Sequence, residues 1–326
     1  MTQVLQVAST FPFSPEAQQR LSEAAGSTIR YIGDSDELRE SLREVEILCA
    51  YWLPANWRKL APNLRWLQAS GAGVDGLRLS GILASESGVR VTTAVGIHAI
   101  TIGEYVFASM LMYNRTWPAM VRLQDRHLWP RSANWYKLGG RELAEQTLGI
   151  VGLGSIGRRV AHLGKAFGMR VLATKRTVNA NQSEENIDQL YPISQLHDML
   201  HQCDYVVLAV PLTAESEHLI GEAELHAMRE HTYLVNVARG RVIDERALIT
   251  ALREGWIGGA GLDVTEEEPL PADSPLFSLP NVILTPHISG ESVHYNKRLS
   301  ELFADNLRRY RAGEPLHNMY EPSRGY

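Results

Sequence analysis

Cysteine is scarce in this 326-residue chain: there are two, Cys49 and Cys203, far apart and each in or beside an apolar run. Two such residues do not build a disulfide framework, and buried free thiols in a reducing compartment are expected. No long block of lysine and arginine occurs, and a net charge of −5 with a pI near 6.1 argues against a nucleic-acid surface. The N-terminus M-T-Q-V-L-Q-V has neither the basic region nor the long apolar core of a signal peptide. The longest apolar stretch, Ala99 to Met112, is interrupted by Glu104 and is too short to span a bilayer. Low-complexity tracts and repeats of solenoid period are absent, and no metal site is expected. These absences point to a soluble, cytoplasmic protein without nucleic-acid or membrane partners.

What is present is an ordinary globular balance, 44% hydrophobic and 21% charged, in a chain long enough for about two domains. From residue 4, short β-branched runs alternate with amphipathic segments: V-L-Q-V-A, Ser14 to Ala25, T-I-R-Y-I, Asp36 to Glu44, E-I-L-C-A, L-R-W-L-Q-A and V-R-V-T-T. Such alternation predicts a parallel sheet covered on both faces. The near-continuous apolar segment after Gly96 predicts a long, deeply buried helix. Residues 113 to 146 are instead rich in tryptophan and arginine, with Trp117, Trp129, Trp135 and Tyr136; such an arm either packs on another subunit or folds over its own surface, and its composition favours a homodimer interface. A second series follows: M-R-V-L-A-T, Ile193 to His201, D-Y-V-V-L-A-V-P, T-Y-L-V-N-V-A, Asp244 to Glu254, G-A-G-L-D-V and N-V-I-L-T-P. A final helical pattern, Glu291 to Arg311, stops before Gly313.

The second series opens on T-L-G-I-V-G-L-G-S-I-G at 147–157, a buried-strand run leading into Gly152-x-Gly154-x-x-Gly157 and then a helical pattern. In that context the first glycine permits a sharp turn, the second lets a pyrophosphate approach the backbone, and the third lets helix and strand pack closely. The anion would lie on the unpaired N–H groups of the helix start, Ser155 and Ile156 included. An NAD-specific unit usually carries an acid about 20 residues on, at the end of the second strand. Here that end reads Thr174-Lys175-Arg176. Two cations can pair with a 2′-phosphate, which favours NADP(H), with NAD(H) as the alternative. Taken locally, the Gly71-x-Gly73 turn after L-R-W-L-Q-A is a tight strand-to-helix turn, with anion binding by its amides as the other reading.

Three further strand ends carry polar chemistry: Asn236-Val-Ala-Arg239-Gly240, Glu268-Pro269 and Thr285-Pro286-His287. In a doubly wound sheet such loops converge outside the carboxyl ends of the strands. Reduction of a 2-oxo acid needs a cation for the carboxylate and carbonyl, a proton donor, and a group that keeps the donor charged. Arginine, histidine and a carboxylate meet those needs.

With these motifs together, the chain resembles the D-isomer-specific 2-hydroxyacid dehydrogenases. The resemblance rests on G-L-G-S-I-G at 152–157, V-N-V-A-R-G-R-V-I-D-E at 235–245, G-A-G-L-D-V-T-E-E-E-P at 259–269, N-V-I-L-T-P-H-I-S-G at 281–290 and E-L-F-A-D-N-L-R-R-Y at 301–310, with A-S-G-A-G-V-D at 69–75 and V-G-I-H-A at 95–99 in support. It implies two doubly wound α/β domains, a Rossmann cofactor domain at 98–289 inserted into a flavodoxin-like substrate domain of residues 1–97 and 290–326. It implies Arg239 as the substrate-holding cation, His287 as general acid/base and Glu268 as its hydrogen-bonding partner. It further implies that Asp263 meets the nicotinamide carboxamide, that Val237, Ser289 and Gly290 line the cofactor pocket, and that the amides around Ala72, Gly73 and Val74 bind the substrate carboxylate. Trp52 and Leu53 are candidate pocket walls. The implied activity is that of an NAD(P)-dependent reductase of the glyoxylate/hydroxypyruvate kind. A dinucleotide-sensing, corepressor-like protein and a phosphoglycerate dehydrogenase-like enzyme, for which Arg58 and Lys59 offer a basic patch, are the alternatives.

Overall fold

A computed structural model describes residues 5–33, 42–129, 139–178 and 182–325. The chain divides into two compact units, residues 1–98 with 292–326, and residues 99–291.

In the first unit, β1 (Val7–Ser9), β2 (Arg30–Tyr31), β3 (Ile47–Ala50), β4 (Trp66–Ala69) and β5 (Arg90–Thr92) form a parallel sheet of order β2-β1-β3-β4-β5. β3 and β4 are buried throughout, which explains their unbroken apolar runs. Helix α1 (Pro15–Ala25) starts where Ser14 accepts the Ala17 amide, with Pro15 in its first turn, and ends at Gly26 in a left-handed conformation. A short α2 (Trp57–Leu60) follows β3. The helix expected over Asp36 to Glu44 lies largely outside the described residues.

In the second unit the strands are β6 (Thr147–Val151), β7 (Arg170–Lys175), β8 (Gln189–Pro192), β9 (Tyr205–Leu208), β10 (Tyr233–Asn236), β11 (Gly259–Leu262) and β12 (Val282–Leu284). All pair in parallel in the order β12-β11-β10-β9-β6-β7-β8. The helices are α3 (Ala99–Asn114), α4 (Trp117–Asp125), α5 (Ser155–Ala166), α6 (Leu196–Leu200), α7 (Glu222–Ala227) and α8 (Glu245–Glu254). α3 buries one face, through Ile102, Val106, Phe107 and Met110, while Ile100 is exposed and Glu104 solvated. The expected deep burial therefore holds for one face of the helix. α4 buries nothing, and Trp117 and Trp129 are exposed; Trp135 and Tyr136 lie outside the described residues. β8 has no counterpart in the sequence reading. It is an edge strand of four residues with only Tyr191 buried, closed by Pro192, so it carries no apolar run.

The last helix, α9 (Tyr295–Ala312), returns to the first unit and packs along α1. Leu299, Phe303, Ala304 and Leu307 are buried with Leu21 and Trp66 in one core cluster, and Phe303 meets Trp66 edge-on at 5.4 Å. Side chains of this kind stabilise a fold by roughly 1.5–3 kcal/mol each when fully buried. That packing is why the chain's two ends belong to one unit. Both cysteines are buried free thiols, and burial pushes each thiol pKa up to about 12.

Candidate active site

The register of the seven-stranded sheet sets the site. Thr174 lies beside Val151, Val151 beside Leu208, Leu208 beside Asn236, Asn236 beside Leu262, and Leu262 beside Leu284. Six strands thus end level, and the loops carrying Gly154, Lys175, Arg239, Glu268 and His287 leave from one edge. The strand order reverses between β6 and β9, the switch point at which open α/β sheets bind ligands.

At that point Gly152 adopts φ +99°, and a Cβ there would meet the Ala209 carbonyl oxygen at 2.8 Å. A Cβ on Gly157 would lie 2.2 Å from the Gly152 carbonyl oxygen, so this glycine is what lets α5 sit on the turn. Gly154 differs: its Cβ would meet no protein atom within 4 Å. It is the N-cap of α5, and no side chain caps the helix start. Open space before uncapped amides fits a pyrophosphate on Ser155, Ile156 and Gly157.

At the end of β7 each cation has an acidic partner. Lys175 Nζ is 2.6 Å from Glu184 Oε1, Arg158 Nη1 is 2.5 Å from Glu184 Oε2, and Arg176 is 3.4 Å from Glu215. The hydrogen bonds from Arg158 and Lys175 hold the Glu184 carboxyl well below the usual range, at about 2.

On the other side of the switch point, Asn236 closes the turn after β10: its side chain donates to the Arg239 carbonyl and accepts the Ala238 amide. Arg239 is half-buried and donates to the Ala238 carbonyl at 2.6 Å. A Cβ on Gly240 would strike Thr265 at 1.9 Å, so this glycine lets the Arg239 turn lie against the loop that carries Glu268. Glu268 Oε1 accepts the Thr265 amide, and Oε2 lies 2.7 Å from His287 Nδ1. With the carboxylate as acceptor, Nδ1 carries a proton and Nε2 is the ring nitrogen left facing away from Glu268. The imidazole side chain is 46% exposed.

His287 holds φ +54°, uncommon for a residue other than glycine. The cause is Asp263, 2% exposed, whose main-chain carbonyl accepts the His287 amide. Asp263 Oδ1 accepts Thr285 Oγ1 at 2.6 Å and the Ile288 amide at 2.9 Å, and Oδ2 accepts the Ser289 amide at 3.0 Å. Because Thr285 gives its proton to Asp263, the Tyr105 hydroxyl 2.7 Å away donates to Thr285. Burial pushes the Tyr105 phenol up to about 12, so it keeps that proton. Asp263 therefore clamps the histidine loop. Ser289 is buried on this clamp, Gly290 accepts from Thr101, and Val237 is buried after β10.

In the first unit, Ala72 and Gly73 are half-buried and Val74 buried in the turn after β4, where the Gly71 carbonyl accepts the Ala94 amide. Trp52 is 51% exposed whereas Leu53 is buried in the sheet's core, so of that pair only Trp52 is accessible. Arg58 donates to the Ser87 and Glu86 carbonyls and lies over the Trp57 ring, so its donors are already directed to main chain.

The sequence assigned no role to Tyr105, Thr285, Arg158 or Glu184. Thr285 had a signal, since it stands two residues before His287 at a strand end. Glu184 had none, lying in the polar tract N-Q-S-E-E-N. Among the described residues no group of three or more His, Cys, Asp or Glu stands where it could hold a metal ion, and no helix is long and apolar enough to cross a membrane.

Comparison with known proteins decides the lineage. The sequence profile described as D-isomer specific 2-hydroxyacid dehydrogenase, NAD binding domain, matches residues 107–289. The chain belongs to this family. It is 39% identical over 263 residues to a glyoxylate reductase of Thermococcus gammatolerans, covering 78% of this chain and 75% of that one. A D-isomer specific 2-hydroxyacid dehydrogenase from Xanthobacter autotrophicus, solved with NADPH and MES, superposes with a TM-score of 0.84 at 30% identity, over 99% of this chain and 100% of that one. An NADPH-dependent glyoxylate/hydroxypyruvate reductase from Sinorhizobium meliloti, solved with NADP and sulfate, gives 0.82 at 26% identity, over 98% and 99%. Like the rest of its family, this dehydrogenase is an NAD(P)-dependent oxidoreductase, and residues 107–289 are its nicotinamide dinucleotide-binding domain.

Proposed function

We propose that this dehydrogenase reduces glyoxylate, hydroxypyruvate or a similarly small 2-oxo acid to the D-2-hydroxy acid, with NADPH as the preferred cofactor. The observation that carries the reading is the His287 Nδ1–Glu268 pair, held at the sheet's carboxyl edge beside the Arg239 turn. Bound dinucleotide supplies the hydride. Arg239 holds the substrate carboxylate and polarises the carbonyl, and His287 Nε2 delivers the proton to the new hydroxyl oxygen while Glu268 stabilises the ring's charge. Asp263 acts by clamping the His287 loop and, through its neighbours Ser289, Gly290 and Val237, borders the nicotinamide pocket. The amides of Ala72, Gly73 and Val74 take the substrate carboxylate, and Trp52 walls the pocket. Lys175 and Arg176 favour the 2′-phosphate of NADP(H). The protein works in the cytoplasm as a homodimer joined through the exposed aromatic segment that includes Trp117 and Trp129. Related proteins named glyoxylate reductase and glyoxylate/hydroxypyruvate reductase support the substrate class.

The test is steady-state kinetics with glyoxylate, hydroxypyruvate and pyruvate against both cofactors. Turnover highest with one of the first two and NADPH supports the reading. Tight cofactor binding with no turnover on any of the three would point to a dinucleotide-sensing protein instead.

A further inference from the structure

The end of β7 lacks the acid that an NAD-binding unit places there, yet a carboxylate stands at that point in space. It comes from Glu184, nine positions beyond Lys175. Its two oxygens take different cations: Oε1 lies 2.6 Å from Lys175 Nζ and Oε2 lies 2.5 Å from Arg158 Nη1, while Gln182 Nε2 donates to Oε1 at 3.1 Å. Lys175 ends the second strand of the nucleotide-binding series and Arg158 lies in the first turns of the helix after the glycine loop. Those two elements border the adenosine ribose in a unit of this kind. Glu184 is also less exposed than either cation, its side chain 12% accessible against 28% for Lys175 and 49% for Arg158. It is thus held between them rather than reaching across from solvent.

We propose that Glu184 tunes the dinucleotide preference, by competing with the adenosine 2′-phosphate for Lys175 and Arg158 and so weakening NADP(H) binding while sparing NAD(H). The proposal rests on the reading that Lys175 meets the 2′-phosphate. The competition follows from charge. A 2′-phosphate that pairs with Lys175 must displace the Glu184 oxygen or sit beside it, and two anions sharing one ammonium repel each other. A dinucleotide with a free 2′-hydroxyl brings no second anion and leaves the Lys175–Glu184–Arg158 bridge intact. Arg176, paired with Glu215 at 3.4 Å, adds a third cation and a second carboxylate at the same edge. The two carboxylates therefore leave the edge positive but less so than its cations alone, and the 2′-phosphate is held less strongly than unpaired cations would hold it.

The experiment is calorimetric titration of the full-length protein with 2′,5′-ADP and with 5′-AMP, probes that differ only in the 2′-phosphate, repeated with NADP+ and NAD+. The proteins compared are the natural chain, Glu184→Gln, Lys175→Ala and the double variant. Glu184→Gln should tighten 2′,5′-ADP and NADP+ about two- to fivefold, as expected for release of a partly exposed ion pair. 5′-AMP and NAD+ should change less than twofold, and the gain should vanish in the double variant. If Lys175→Ala weakens 2′,5′-ADP but Glu184→Gln leaves it unchanged or weaker, Glu184 only braces the lysine and the proposal is overturned, with the NADP(H) reading intact. If Lys175→Ala leaves 2′,5′-ADP unchanged, the NADP(H) reading itself falls and this proposal with it. Should Glu184→Gln melt early, Glu184→Asp, which draws the carboxylate back by one methylene, carries the same test with the same expected direction.

Discussion

The seven-stranded sheet carries a histidine–carboxylate pair at each of its two edges, and the two are alike in length. His287 Nδ1 lies 2.7 Å from Glu268 at the carboxyl edge, and His231 Nε2 lies 2.7 Å from Asp204 at the amino edge, where β9 begins. Their surroundings separate them. Asp204 is 9% exposed and also accepts the Thr147 amide and the Arg229 guanidinium, so it ties together the starts of β6, β9 and β10. Burial works against its ionised form, but the bonds from Thr147 and His231 and the charge of Arg229 outweigh it and hold its pKa below the ordinary range. Glu268 instead has a half-exposed side chain, and its histidine lies on a left-handed turn that Asp263 clamps. The same pair is thus a structural tether at one edge and the proposed proton-transfer device at the other. What distinguishes them is which end of the strands they occupy, because the carboxyl edge is where loops diverge and leave room for a ligand.

That contrast can be broken by paired substitutions. His287→Ala should lower kcat/KM for the best 2-oxo acid by about 10²–10⁴-fold, the usual contribution of a general acid. His231→Ala should leave kcat/KM within about twofold, since an edge tether touches no reacting atom. Equal losses from both would erase the distinction. Glu268→Gln should cost on the order of 10²-fold in kcat/KM with melting unchanged, because the ring loses its charge partner and keeps its neighbours. Asp204→Ala should reverse that pattern, retaining turnover but losing about 1–3 kcal/mol in denaturant unfolding, as the buried Thr147 amide is left without a partner. The pH dependence sharpens the point. Asp204 has a lower pKa folded than unfolded, so its stabilisation is complete above the ordinary carboxylate range and is lost as pH falls through the folded value. Unfolding free energy measured at pH 7 and near pH 3 should therefore fall less for Asp204→Asn than for the natural chain. An identical fall in both would remove the tether.

Much of this molecule was legible in the chain. The unbroken apolar runs of β6, β9 and β10 announce strands buried on both faces, and the Gly152-x-Gly154-x-x-Gly157 turn announces its own geometry because each glycine answers a local steric demand. The sequence also brought Arg239, Glu268 and His287 forward as candidates, since each follows a strand end. β8 escaped because an edge strand with one buried side chain and a terminal proline makes no pattern. His287 stood apart from His231 because it follows a strand and lies in the N-V-I-L-T-P-H-I-S-G motif, whereas His231 precedes one; the His231–Asp204 pair, 27 residues apart, left no such signal.

The sequence by itself determined where strands, helices and the phosphate-cradling turn would form, because backbone sterics and hydrophobic periodicity act over a few residues. Only the tertiary structure decided which charges would meet. Strand register brought the Arg239, Glu268 and His287 loops to one edge, and packing of the loop after β7 set Glu184 against Lys175 and Arg158. Electrostatic partners act across space over a few ångströms, and the chain order of two residues does not fix that distance until the sheet is built.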